Sequence, residues 1–202
     1  MIKKLYLTSN ATTISVMIQG SGEATIDTSL LNDALAQTTS DTDLFNAIVN
    51  TPFDTYKVET TLLFLGIIVL LLVNKETGQI DRIALSKTEL AERTTDVTAV
   101  PFNAIKIGLN EPENIIAAAI RTGEMHDTTD WNYLFKPALK AEEARINQAN
   151  AGIAYSVVHP FTARDGGALI FSYFQYKQEV GEAQHSFMQN YTALVDQNLR
   201  SK

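Results

Sequence analysis

Twelve consecutive residues, Leu62 to Val73, carry no polar side chain, and Thr60-Thr61 and Asn74-Lys75 bound them. A run this apolar is a buried strand, a buried helix or a membrane span. A helix crossing a hydrocarbon core about 30 Å thick needs roughly 20 residues, whereas twelve rise only about 18 Å. Length therefore argues against a span, and no membrane partner is expected. Gly66 and the β-branched Ile67, Ile68, Val69 and Val73 argue against a core helix. The turn signal Asn74-Lys75-Glu76-Thr77-Gly78 follows at once, and then Gln79 to Leu85, which partly alternates. Strand, turn, strand is the reading. The first strand is expected to be covered on both faces and the second to lie nearer an edge. Whether Leu62 to Gly66 belongs to that strand or to a preceding helix stays open.

A chain of 202 residues holds one domain with a real core. Its formal net charge of -7 disfavours nucleic acid, which needs a Lys/Arg surface to displace counterions. The absence of cysteine excludes disulfides, thiolate catalysis and sulfur-based zinc sites. Met1 to Leu7 begins like an export signal, but Thr8 to Thr13 interrupts it, so the cytoplasm is the expected compartment.

Residues 1–28 read as an extension with one short hairpin at most, Ile14 to Ile18 alternating and Gln19-Gly20-Ser21-Gly22 turning. Residues 29–202 read as the folded domain. A helix starts near Ser29. A second opens at the capping box Ser40-Asp41-Thr42-Asp43 and is expected to end at Pro52, with Phe53 to Glu59 leading into the apolar strand. Ser86 to Val100 carries no assignment, and Phe102 to Leu109 suits a short strand. Asn110-Glu111-Pro112-Glu113 has the composition of a helix start, with Gly123 as its left-handed terminus. Pro137 is expected to begin a helix with Leu139 and Ile146 inward, closed by Gly152. Ile153 to Phe161 and Ala168 to Tyr176 pair through Arg164-Asp165-Gly166-Gly167. A last helix from Gly181 carries the stripe Phe187, Tyr191, Leu194, Val195 and Leu199. This order is α+β with an antiparallel sheet.

From Ser29 to Leu199 the chain resembles a GAF domain, a small-molecule sensor module related to PAS domains. The carriers are the apolar strand with its turn, Val69 to Gly78; the helix end Ala118-Ala119-Ile120-Arg121-Thr122-Gly123-Glu124; the strand Ser156-Val157-Val158-His159-Pro160-Phe161; and the hairpin Arg164 to Phe171, followed by a closing helix. The resemblance implies an antiparallel sheet of about five or six strands. It implies terminal helices packed on one face, often forming a homodimer, and shorter helices and loops enclosing a ligand pocket over the other. Transferred to this sequence, the pocket candidates are Arg121, Glu124, Asp127, Asp130, Trp131, Tyr133 and Phe135, with Tyr155 and Phe171 on the facing strands. The sequence also departs from the family. Without cysteine it is neither a bilin-attaching member nor a free methionine sulfoxide reductase, and the Asn/Lys/Phe/Asp/Glu pattern of cyclic-nucleotide binders is not recognisable.

The densest polar-aromatic cluster is His126, Asp127, Asp130 and Trp131. As a pocket lid, Trp131 and Tyr133 would stack on a planar ligand and an acid would accept from it. As an ordinary loop, the same aromatics would anchor to the core, and Arg121 would complement its helix terminus. No paired-carboxylate, Ser-His-Asp or phosphate-loop pattern emerges, so a catalytic role is not expected. His126, His159 and His185 would have to converge with acids to hold a metal or revive a hydrolase reading. The expected function is a sensory or signalling domain that binds an unidentified small organic ligand, whose cofactor, if any, is unknown. The alternative is an interaction module with the same fold and a filled pocket.

Overall fold

The computed structural model describes residues 9–10, 13–18, 22–95 and 100–202. The export-like start Met1 to Leu7 and most of the Gln19 to Gly22 turn lie outside them. Strands β1 (Ser9–Asn10), β2 (Thr13–Ile18) and β3 (Gly22–Asp27) form a small antiparallel sheet. Helix α1 (Thr28–Ala36) follows directly, its Ser29 N–H capped by Asp27. Asp27 is held in turn by Tyr56, whose hydroxyl donates to the Asp27 carbonyl at 2.8 Å.

Helix α2 (Asp41–Thr55) starts at the expected box, with Ser40 Oγ accepting from the Asp43 N–H. It does not end at Pro52. Proline has no N–H to give to the carbonyl four residues back, which is that of Ile48. The Tyr191 hydroxyl takes that carbonyl instead, at 2.6 Å, and the helix runs on to Thr55. Helix α3 (Lys57–Leu62) then occupies a segment expected to be a plain lead-in. The open question at Leu62 is answered by Phe64, whose φ of 57° breaks helix from strand.

The apolar run becomes β4 (Leu65–Asn74), and β5 (Gln79–Leu85) returns beside it. Asn74 Oδ1 caps the turn by accepting from the Glu76 and Thr77 N–H groups. Next come α4 (Glu89–Thr95), β6 (Lys106–Gly108), α5 (Ile115–Thr122), β7 (His126–Thr128), α6 (Asn132–Phe135) and α7 (Ala141–Ala151). Strands β8 (Tyr155–Phe161) and β9 (Gly167–Tyr173) and helix α8 (Glu182–Arg200) complete the chain. The main sheet has six antiparallel strands in the order β6-β5-β4-β9-β8-β7. The apolar strand is central and the alternating one lies toward an edge, as their patterns imply.

Two helix starts differ from expectation. The cap of α5 is Asn114, not Asn110. Its buried side chain accepts from the Ile116 and Ala117 N–H groups while donating to the carbonyls of Leu134 and Lys136. Helix α7 begins at Ala141 rather than Pro137, where Glu143 reaches back to the Lys140 N–H. This rotates its inward face, so Ala144, Asn147 and Ala151 are buried while Ile146 is exposed.

The sheet divides the core. Helices α1, α2 and α8 cover one face through Leu31, Leu35, Leu44, Ile48, Phe187 and Tyr191. Helices α4 to α7 cover the other, with Ile116, Ala119, Trp131, Leu134 and Phe135 inward. No helix among the described residues is long and apolar enough to cross a membrane.

Candidate functional site

Alternation assigns β4 to both layers: Ile67, Val69 and Leu71 face the α4–α7 side, while Ile68 and Leu70 face α8. On β5, Arg82 pairs with Leu71 and shares its face. A register shift between Leu70 and Leu71 leaves Ile83 as an extra residue, so Leu85 points to the same side as Arg82. Above this surface lies a cavity of about 150 Å³. Its floor is Ile67, Val69 and Ile170, and Trp131, Leu134 and Phe135 of the α6 region wall it. Phe102 and Thr94 line the side where the chain passes from α4 toward β6.

Among the described residues, the polar side chains lining this mostly apolar space are Arg82, Asn147 and Ser172, with Thr94 and Thr95 on the α4 side. Ser172 shares a 2.8 Å hydrogen bond with Ser156, whose hydroxyl also accepts from Trp131 Nε1 at 2.9 Å. The backbone of Trp131 is held by Gln148, and Gln148 by the carbonyls of Thr129 and Ile153. Trp131 is therefore a fixed apolar wall with its one donor already used.

Arg82 is 5 % exposed, and its Nε and Nη2 have no hydrogen-bond partner among the described residues. The Phe135 ring centre lies 4.4 Å from its guanidinium carbon and that of Phe102 lies 5.8 Å away. Burial brings its pKa down to about 10, which leaves it charged at neutral pH.

The residues expected to form the pocket separate. Trp131 and Phe135 line the cavity. Asp130 sits beside them but is engaged by Arg145, 2.6 Å from Nη2, and that pairing lowers its pKa. Asp127 pairs with Lys177 outside the cavity. Arg121 donates to the carbonyls of Leu109 and Glu111, and Glu124 and Tyr133 are exposed. Tyr155 and Phe171 are buried on the α8 face, one residue out of phase with the cavity-side Ser156 and Ser172. A single-residue step along a strand reverses the face. His126 shares the face of Val158 and His159 lies on the opposite face, while the carboxylate of Asp130 is taken by Arg145. Among the described residues no three His, Asp or Glu side chains are placed to hold a metal ion.

Several solved structures superpose on this fold. The GAF domain of a phosphoenolpyruvate-protein phosphotransferase from Acinetobacter superposes with a TM-score of 0.57, at 12% identity, over 86% of this chain and 90% of that one. The chain has a GAF-like fold. Residues 122 to 287 of a methyl-accepting chemotaxis protein match with a TM-score of 0.53, at 8% identity, over 85% of this chain and 94% of that one. A free methionine-R-sulfoxide reductase from Neisseria meningitidis, solved with its substrate, gives 0.53 at 10% identity, over 85% of this chain and 84% of that one. At these identities the likeness is one of fold. No family model and no curated protein matches the sequence. GAF-like neighbours thus include both a chemotaxis protein and an enzyme, and this chain contains no cysteine.

Proposed function

We propose that this chain is a non-enzymatic, GAF-like sensory module that holds a small organic ligand between β4, β5, β9 and the α6 region. The observation that carries the reading is the open cavity itself. It is mostly apolar and aromatic, and few polar groups enter it, which is the usual composition of a small-molecule site. That open volume beside Trp131 favours a ligand module over an interaction module with a filled pocket.

Strand β9 offers a path from the pocket to the terminal helices. Ile170 and Ser172 face the cavity, and Phe171 between them meets Phe187 of α8 edge-on at 6.0 Å. Phe187 stacks in turn on Tyr191 at 5.5 Å. A ligand with unequal affinity for two settings of this stack would shift their populations. The same reading includes a homodimer through the terminal helices. Tyr191 is fully buried within one chain, so the contact would fall on residues such as Leu30 of α1, which is 51 % exposed. Leu30→Glu should then halve the mass seen by light scattering, and an unchanged mass removes that interface.

The test of the pocket is native mass spectrometry of the purified protein beside its Trp131→Ala variant. A small-molecule adduct present in the parent and lost in a folded variant supports the assignment. An adduct kept equally by both sinks it.

A further inference from the structure

An arginine this deeply buried does not stay unpaired at no cost. A buried charge is normally matched by an acid or saturated with hydrogen bonds, because water no longer solvates it. Among the described residues no acid pairs with Arg82, and its Nε and Nη2 lack hydrogen-bond partners; the adjacent strand residue Asp81 alternates to the other face, 3.4 Å from Lys106 Nζ. The Phe102 and Phe135 rings attract the cation but accept no conventional hydrogen bond. Nε and Nη2 form one edge of the guanidinium, the edge that meets a carboxylate side-on with two parallel bonds.

We propose that the ligand is a small organic acid, with one carboxylate received by Arg82 and an apolar or aromatic body against Trp131 and Phe135. This rests on the pocket reading above. The cavity, about 150 Å³, matches the size of one known to admit benzene. Among the described residues Arg82 is the one cationic side chain in the lining, so the ligand is expected to carry one negative group rather than two. Asn147, 4 % exposed and also in the lining, is placed to meet a second polar atom of the ligand.

The chain between Thr95 and Val100 contains one acid, Asp96, which lies outside the described residues. Because it follows the cavity-lining Thr95 in sequence, the test includes it as a control. Benzoate and benzamide have nearly the same shape and differ by one charge. Each is titrated to millimolar concentration into the full chain, with calorimetry and the emission of Trp131, the sole tryptophan, as readouts. Benzoate is expected to bind at least about tenfold more tightly than benzamide. Arg82→Met should erase that preference and Arg82→Lys should keep part of it, while Asp96→Asn should leave benzoate affinity unchanged. Equal binding of the two probes, or a benzoate preference that survives in Arg82→Met, overturns the charge assignment and leaves the pocket standing. Binding of neither probe overturns the pocket reading as well. Tighter benzoate binding in Asp96→Asn shows that Asp96 fills the site and also overturns the proposal.

Discussion

Replacing Arg82 with methionine should stabilise the ligand-free protein. Most core substitutions destabilise, so the sign alone is informative. Two unpartnered donors, Nε and Nη2, are released from burial, and each unsatisfied buried group costs about 1–3 kcal/mol. Against this, the variant loses the cation–π contact with Phe135 at 4.4 Å, worth about 0.5–2 kcal/mol. Methionine is flexible enough to fill the space beneath Phe102 and Phe135. The difference between these terms runs from about 0 to 5 kcal/mol, and we take a gain of about 1–3 kcal/mol, within the range seen when buried ionic groups give way to apolar ones. At about 2–4 °C per kcal/mol for a chain of this size, the melting temperature rises by about 2–12 °C. The assay is calorimetric melting of ligand-stripped parent and variant at neutral pH. A variant that folds but melts several degrees below the parent would refute the reasoning, because it would mean that the guanidinium is well paired in the folded state.

Three further outcomes test the framework around the site. Gly167→Ala should destabilise by about 1–3 kcal/mol in denaturant melts, because a Cβ there collides with the Leu71 carbonyl oxygen and the Phe161 ring. Tyr191→Phe should cost about 1–3 kcal/mol by stranding the Ile48 carbonyl. It should cost less in a Pro52→Ala background, where a helical N–H becomes available to that carbonyl; equal cost in both backgrounds contradicts the role given to Tyr191. Asp130, its pKa lowered by Arg145, contributes stability that is complete above the ordinary carboxylate range and lost as pH falls through its folded-state value. Asp130→Asn should therefore flatten the acid side of the stability profile, measured by Trp131 emission, and an unchanged slope would remove that contribution.

The sheet was readable because its strands carry strong patterns. Leu65 to Val73 is too apolar and too β-branched for an edge or a span, and the Gly78 and Gly166 turns sit where positive φ is needed. Helix starts were less legible where two caps compete. Asn110 and Asn114 both suit an N-cap, and what selects Asn114 is its pair of long-range bonds to Leu134 and Lys136. In the candidate site, Trp131 and Phe135 line the cavity and are also anchored in the core, so the pocket-lid and ordinary-loop readings of these aromatics meet in the same residues. Tyr155 and Phe171 were misplaced by one residue of strand phase, since both faces of β8 and β9 are buried and alternation gives no signal there. Arg82 was missed for a related reason. It is in phase with the inward Ile80, but the extra residue at Ile83 scrambles the alternation that would have exposed a charge among apolar positions.

The most direct test is a crystal structure of the protein grown with saturating benzoate. The account predicts a carboxylate within hydrogen-bonding distance of the Arg82 guanidinium and a ring between Trp131 and Phe135. A cavity filled by the protein's own side chains, or an Arg82 paired with an acid of its own chain, would contradict it.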